Sequence, residues 1–70
     1  MLNSNGILAD RLLEWLGTHN MTEKEFARKA GVNASTVYSI ISERHTARTD
    51  TLVAICVAHG ISADWLLGLD

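Results

Sequence analysis

The sequence has no proline and only one cysteine, Cys56, among its 70 residues. A single cysteine cannot form an internal disulfide, so the cross-links that stabilise many small secreted domains are excluded. This pattern favours a reducing cytoplasm as the location of the protein. A chain this short also buries only about 60% of its unfolded surface when it folds alone. One small domain fits that limit, and a two-domain enzyme does not.

Aromatic residues make up only 6% of the sequence, and long apolar runs are missing. The longest apolar stretch, Leu52 to Ala58, is far shorter than the roughly 20 residues that a membrane-spanning helix needs. Residues 1–10 contain no basic segment before an apolar one, so no export signal is recognisable. The 47% of hydrophobic residues are mostly aliphatic, and the 20% of charged residues are typical of a folded domain.

An excess of positive charge is also missing, because six basic residues face eight acidic ones for a net charge of −2. This balance argues against a chain that binds nucleic acid through bulk charge alone. The charges are unevenly placed, since residues 22–48 carry five cations and three acids while the rest of the chain has a net charge of −4. This distribution indicates a basic surface between acidic flanks, although an ordinary surface of mixed charge produces a similar pattern.

Apolar residues recur at helical spacing, and strand-like alternation is absent. The pattern predicts an all-α protein with five short helices. The first spans Ile7 to Leu16, with leucines at positions 8, 12 and 16 on one face, and Gly17 ends it. Residues 1–6 are expected to form a flexible N-terminus, and residues 7–70 a single domain.

The second and third helices carry clear end signals. A capping box of Thr22 and Glu25 begins the second helix, and Gly31 ends it, because glycine adopts the positive φ that a sharp turn requires. Asn33 is the expected N-cap of a third helix over Ala34–Ser42.

The remaining residues predict a loop and two more helices. Residues 43–48 lack periodicity and include three potential cations, which is typical of a loop. Thr49 or Asp50 caps the fourth helix, which Gly60 ends, and the last short helix covers Ala63–Leu67.

The two helices joined by Gly31-Val32-Asn33 have the layout of a helix-turn-helix. Ala27 is small enough for the third helix to cross over it, and Val32 and Val37 fill the wedge between the helices. This pattern favours DNA binding, although a plain helical hairpin also uses a glycine in its turn.

Residues 22–41, TEKEFARKAGVNASTVYSII, resemble the helix-turn-helix of the phage-repressor family, the Cro and repressor (xenobiotic-response-element-like) type. Residues 60–67, GISADWLL, resemble that family's closing segment, and the resemblance extends over roughly Leu8 to Gly68. It implies a compact five-helix, lambda-repressor-like domain. It also implies a phage or prophage transcriptional repressor that binds double-stranded operator DNA as a homodimer, with the third helix in the major groove.

The resemblance assigns roles to individual residues. Those that fall where the family's recognition helix faces the bases are Ala34, Ser35, Thr36, Tyr38 and Ser39. Those that fall where the family meets the DNA backbone are Asn33, Ser42, Arg44, His45 and Arg48. The apolar pattern agrees, because Val37, Ile40 and Ile41 point inward and leave the hydroxyl side chains on the outer surface.

Three features depart from the family pattern. Glu23 replaces a common glutamine that clamps a phosphate, and DNA would repel an anion at that place unless it pairs with a neighbouring cation. The recognition helix lacks Gln, Arg, Lys and Asn after its cap, so hydroxyl, methyl and water-mediated contacts or DNA shape would have to carry specificity. His59 stands at a position that is usually leucine, where it is either a half-buried core residue or a protonatable group.

Signals for catalysis and for cofactors are weak. His19, His45 and His59 are far apart and form no pair with metal-binding spacing. Cys56 lies in an apolar helix, where a cysteine is more often a core residue than a nucleophile. The sequence therefore predicts a protein that is not an enzyme and has no cofactor or metal.

The fourth helix gives a prediction about assembly. Leu52, Ile55 and Cys56 form its inward stripe, which leaves Val53 and Val57 near the opposite surface. The predicted two-fold interface consists of Val53, Val57, Trp65, Leu66 and Leu69. The alternative is that both valines pack under the last helix in the core of a monomer.

Two interpretations of the function stay open. The first is a sequence-specific DNA-binding regulator, either a complete small Cro-like protein or part of a longer repressor with a C-terminal domain. The second is a protein-interaction module, such as an antitoxin-like or anti-repressor partner-binding domain, which the acidic net charge and the weak recognition helix favour.

Overall fold

The computed structural model describes residues 4–44 and 47–69, with side chains from Gly6 onward. Its helices are α1 (Ser4–Thr18), α2 (Glu23–Ala30), α3 (Ala34–Glu43), α4 (Thr49–His59) and α5 (Ala63–Leu66). No strand occurs in the described ranges, and the predicted all-α, five-helix fold is confirmed. α1 begins three residues before the predicted Ile7.

The predicted end of the first helix at Gly17 is wrong, because α1 continues past this residue and Asn20 takes the left-handed conformation, with φ 52°. Two backbone hydrogen bonds close this end. The Met21 N–H donates to the Leu16 carbonyl (3.0 Å), and the Asn20 N–H donates to the Gly17 carbonyl (3.3 Å). Asparagine tolerates the left-handed region better than most residues do, so glycine is not required at this turn.

The helix-turn-helix forms from the predicted local signals. The Glu25 N–H donates to Thr22 Oγ1, and the Thr22 N–H donates to Glu25 Oε1, both at 3.1 Å. At the other end of α2, Gly31 has φ 74°, and the Val32 N–H donates to the Ala27 carbonyl (3.0 Å). These bonds end α2 and turn the chain into α3.

The hydrophobic core draws on all five helices. Its buried members are Leu8, Leu12, Leu16, Phe26, Ala27, Val37, Ile40, Ile55, Ile61 and Leu66. α3 packs against α1 and α2, while α4 packs against α2 and α5. One face of α3 is therefore held by its neighbours, and the opposite face is left at the surface.

His59 is half-buried, as one of the two sequence interpretations predicted, and it joins α4 to α2. Its ring stacks on Phe26, with centroids 4.1 Å apart and an interplanar angle of 1°. The Phe26 carbonyl accepts a hydrogen bond from His59 Nε2 at 2.9 Å. Trp15 packs edge-on against the same imidazole, with centroids 5.1 Å apart. A histidine can thus occupy this position, which is usually leucine, because its ring stacks on Phe26 and its Nε2 has a hydrogen-bond partner.

Candidate nucleic-acid interface

The exposure of residues along α3 separates a core face from a surface face. Val37 and Ile40 are fully buried, and Ile41 is half-buried against the core. The residues predicted to face DNA bases lie on the other side: Ala34, Ser35 and Tyr38 are exposed, and Thr36 and Ser39 are half-buried. The surface face therefore combines four hydroxyl groups with the small methyl group of an alanine.

A groove separates the surface face of α3 from the start of α4. It is lined by Ser35, Thr36, Ser39, Ile40, Ala47, Arg48, Asp50 and Thr51. Arg48 is the N-cap residue of α4, so the fold places a guanidinium beside the hydroxyl groups of α3. Hydroxyl and guanidinium groups at one concave surface can bind phosphate oxygens and the edges of bases.

The residues predicted to meet the DNA backbone lie at both ends of α3 and after it. Asn33 is the N-cap of α3, as predicted, but its side chain accepts no hydrogen bond from the first turn. Asn33, Ser42, Arg44 and Arg48 are all exposed. His45 lies outside the described residues.

Arg44 has a partner that the sequence pattern did not reveal. Its Nη2 donates to Asp10 Oδ1 (3.1 Å) and to the Gly6 carbonyl (3.3 Å), both on α1. The Arg44 backbone is left-handed, with φ 56°, and it ends α3. Asp10 is 34 positions away in the sequence, so helical spacing offers no signal for this contact.

Arg48 also has an acidic neighbour. Its Nε lies 3.5 Å from Asp50 Oδ1, and this oxygen accepts a hydrogen bond from the Thr51 N–H at 2.8 Å. The predicted N-cap of the fourth helix at Thr49 or Asp50 is therefore wrong. Arg48 occupies the cap position, while the Asp50 carboxylate satisfies an amide within the first turn.

Glu23, the acidic departure from the family pattern, is half-buried at the start of α2. It lies partly covered beside Leu13, Leu16 and Met21, where water and salt screen its charge less than they would at a fully exposed position. Within residues 4–44 and 47–69, no ion pair joins it to a cation. The pairing that would offset repulsion by DNA is thus not found there.

The residues predicted to form a dimer interface divide into two groups. Val53 and Val57 are 56% and 78% exposed, so the alternative that both pack in the core is wrong. Leu69 is exposed and Trp65 is half-buried. Leu66 is 0% exposed, so it is not the exposed side chain expected at an interface, and it lies at the wall of an apolar groove instead. α5 has only four residues, of which Leu66 is buried and Trp65 packs half-buried against the core.

An apolar groove lies beside these valines, between α4 and α5. It is lined by Thr49, Leu52, Val53, Cys56, Val57, Ala63, Leu66 and Leu67. Cys56 packs against the core, and partial burial raises the pKa of its thiol. A thiol with a raised pKa is a poor nucleophile at neutral pH, in agreement with the structural role predicted for this residue.

The described residues contain no group of three potential metal ligands. None of the helices in this part of the chain is long and apolar enough to cross a membrane.

Comparison with known protein families identifies the fold. A helix-turn-helix family model of the Cro and C1 type matches residues 12–66, from the middle of α1 to the end of α5. No curated protein and no solved structure matches the chain. The family match covers most of the sequence and confirms the resemblance seen in residues 22–41. The chain therefore belongs to the helix-turn-helix family of the Cro and C1 type, and it is a DNA-binding transcription regulator.

Proposed function

We propose that this protein is a sequence-specific transcriptional repressor of the phage or prophage type, which acts in the cytoplasm by binding operator DNA. The observation that carries the proposal is the groove in which the hydroxyl groups of α3 lie beside Arg48. An α-helix fits the major groove of DNA, and a cation beside it can hold the adjacent phosphate.

In the proposed complex, the surface face of α3 reads the bases. Hydroxyl groups donate or accept at base edges, while the methyl groups of Ala34 and Thr36 contact thymine methyl groups. The proposed base-facing residues are Ala34, Ser35, Thr36, Tyr38 and Ser39. The proposed backbone contacts are Asn33, Ser42, Arg44, His45 and Arg48.

The proposal includes a homodimer on DNA. Val53 and Val57 form an exposed ridge next to the apolar groove between α4 and α5, so one copy offers both a ridge and a groove to its partner. The proposed interface also includes the half-buried Trp65 and the exposed Leu69. A two-fold contact would present the two α3 helices to successive major grooves about 34 Å apart. Because the patch is small, we expect association to be weak without DNA.

Selection of binding sites from a random pool of duplexes tests this proposal. We expect the wild-type chain to enrich a pseudo-palindromic sequence with two half-sites separated by about one helical turn. Affinity for that duplex should fall steeply with salt, since phosphate contacts release counterions. Failure to enrich any sequence, together with no binding at low salt, would contradict the proposal and favour the protein-interaction module.

A further inference from the structure

Both arginines proposed to meet the DNA backbone are paired with an aspartate of the same chain. Arg44 Nη2 lies 3.1 Å from Asp10 Oδ1, and Arg48 Nε lies 3.5 Å from Asp50 Oδ1. The side chains of the first pair are 50% and 62% exposed, and those of the second are 85% and 72% exposed. Neither pair is sealed inside the protein, so a phosphate can reach both arginines.

The pairing matters because this chain has only six basic side chains and a net charge of −2. Arg11 is engaged elsewhere, since its Nε donates to the Trp65 carbonyl (3.0 Å) and its guanidinium lies 5.0 Å from the Trp65 ring centroid. Arg44 and Arg48 are the two cations at the end of α3 and the start of α4. Each of them therefore carries its own counterion at the surface proposed for DNA.

We propose that Asp10 and Asp50 are internal counterions, which compete with DNA phosphates for Arg44 and Arg48 and thereby lower the affinity for DNA of any sequence. The inference rests on the proposed function, because it takes the two arginines as phosphate contacts. Non-specific binding depends almost entirely on such contacts. The two aspartates would thus limit binding to random DNA. Affinity for the selected sequence would then depend mainly on the base contacts of α3.

The two pairs should differ in strength. Arg44 is held at a shorter distance, and the Gly6 carbonyl accepts from the same Nη2 atom. Arg48 is more exposed, and its partner oxygen is shared with the Thr51 N–H. Since exposed ion pairs are weak, removing one aspartate should raise DNA affinity about two- to fivefold, with the larger gain at Asp10.

The test measures Kd for two duplexes of about 30 base pairs over a range of salt concentrations. One duplex carries the sequence that wild type selects from a random pool, and the other carries a scrambled sequence. The variants are Asp10→Asn and Asp50→Asn, each alone and combined with Arg44→Ala or Arg48→Ala, respectively. Asparagine keeps the side-chain oxygen that accepts from Arg44 or from the Thr51 N–H, so the charge changes and the shape hardly does.

The matched control is Glu14→Gln. It removes the same charge from the same helix as Asp10, but Glu14 is paired with Arg11, at 4.0 Å, instead of an interface arginine. Unfolding midpoints of all variants identify any change that comes from stability. We expect both aspartate variants to gain affinity on both duplexes with a steeper salt dependence, Glu14→Gln to gain less, and each gain to vanish without the matching arginine.

Three results would overturn the inference. A loss of affinity in Asp10→Asn would mean that the carboxylate orients Arg44 for DNA. A gain that persists without the matching arginine, or that Glu14→Gln equals, would show a general charge effect. Unchanged binding in Arg44→Ala and Arg48→Ala, with the selected site still bound, would refute the counterion roles and leave DNA binding intact. If wild type and every variant fail to bind DNA, the proposed function itself fails.

Discussion

Arg48 is more exposed than Arg44, and its role in DNA binding can be tested at the level of one side chain. Replacing Arg48 with Ala should weaken binding to selected and scrambled duplexes about equally and reduce the salt slope by about 1, because one phosphate contact is lost. Fluorescence titration over a range of salt concentrations measures both effects. A loss confined to the selected sequence would mean that Arg48 reads a base.

Tyr38 and Ser39 are proposed to read bases, whereas Ser42 is proposed to meet the backbone. We expect Tyr38→Ala and Ser39→Ala to change the sequence that is enriched from a random pool. Ser42→Ala deletes a hydroxyl from the same helix and should only weaken binding. The exposed Tyr38 should be neutral to stability within about 0.5 kcal/mol, which thermal unfolding can check. An unchanged site and affinity in the first two variants would remove these residues from recognition.

Glu25 makes the start of α2 sensitive to pH. The hydrogen bond from the Thr22 backbone, the one from the Thr22 hydroxyl and the nearby Arg28 and Lys29 cations lower the pKa of the Glu25 carboxyl. A folded-state pKa below the unfolded one contributes stability above the unfolded pKa of about 4.3, and this contribution is lost as pH falls through the folded pKa.

We therefore expect Glu25→Gln to have a lower melting temperature than wild type at pH 7 and to approach wild type as pH falls below about 4. Glutamine preserves the reciprocal hydrogen bonds of a capping box, so the comparison isolates the charge. Melting curves followed by circular dichroism at several pH values provide the test. A difference that stays constant across this range would contradict the assignment.

At the scale of helices and turns, Gly17 and Gly31 differ in whether the backbone conformation at their position favours glycine. Gly31 has φ 74° and forms the turn before the recognition helix, whereas Gly17 lies within α1, where a Cβ atom would meet no other atom within 4 Å. Gly31→Ala should lower the free energy of unfolding by roughly 1–2 kcal/mol. Gly17→Ala should raise it by up to about 1 kcal/mol, because alanine favours the helix.

Chemical denaturation of both glycine variants tests this contrast, with wild type as the common reference. Loss of stability in Gly17→Ala would indicate that this residue, and not Asn20, is needed to end α1. Stability unchanged in Gly31→Ala would show that the turn between α2 and α3 does not depend on the left-handed backbone.

At the scale of the whole molecule, the ridge of Val53 and Val57 determines whether two copies can associate. We expect the double variant Val53→Asp/Val57→Asp to fold, because both side chains are exposed, and to lose cooperative binding to a duplex with two half-sites. Sedimentation with and without that duplex measures the effect. Ala58→Asp places one negative charge at an exposed position next to the ridge and serves as the control for Val53→Asp and Val57→Asp made singly.

A folded double variant that still binds both half-sites cooperatively would show that the dimer interface lies elsewhere.

Leu66→Asp tests the packing of the core, because Leu66 is fully buried there. This variant should unfold, and a folded Leu66→Asp protein would contradict the packing of α5.

Local sequence signals were sufficient to predict the five helices and the turn between α2 and α3. The capping box and Gly31 act through hydrogen bonds between residues a few positions apart, so no distant part of the chain is needed to interpret them. The same holds for the outer face of α3, since helical periodicity alone separates Val37 and Ile40 from the hydroxyl residues.

Only the tertiary structure decided which distant residues form ion pairs and which side chains of the last helix are buried. Asp10 meets Arg44, 34 positions away in the sequence, because α1 packs against α3. Leu66 is fully buried because α5 packs against both α1 and α4. Periodicity describes one helix at a time, whereas ion pairs and burial depend on the neighbours that packing brings within a few ångströms.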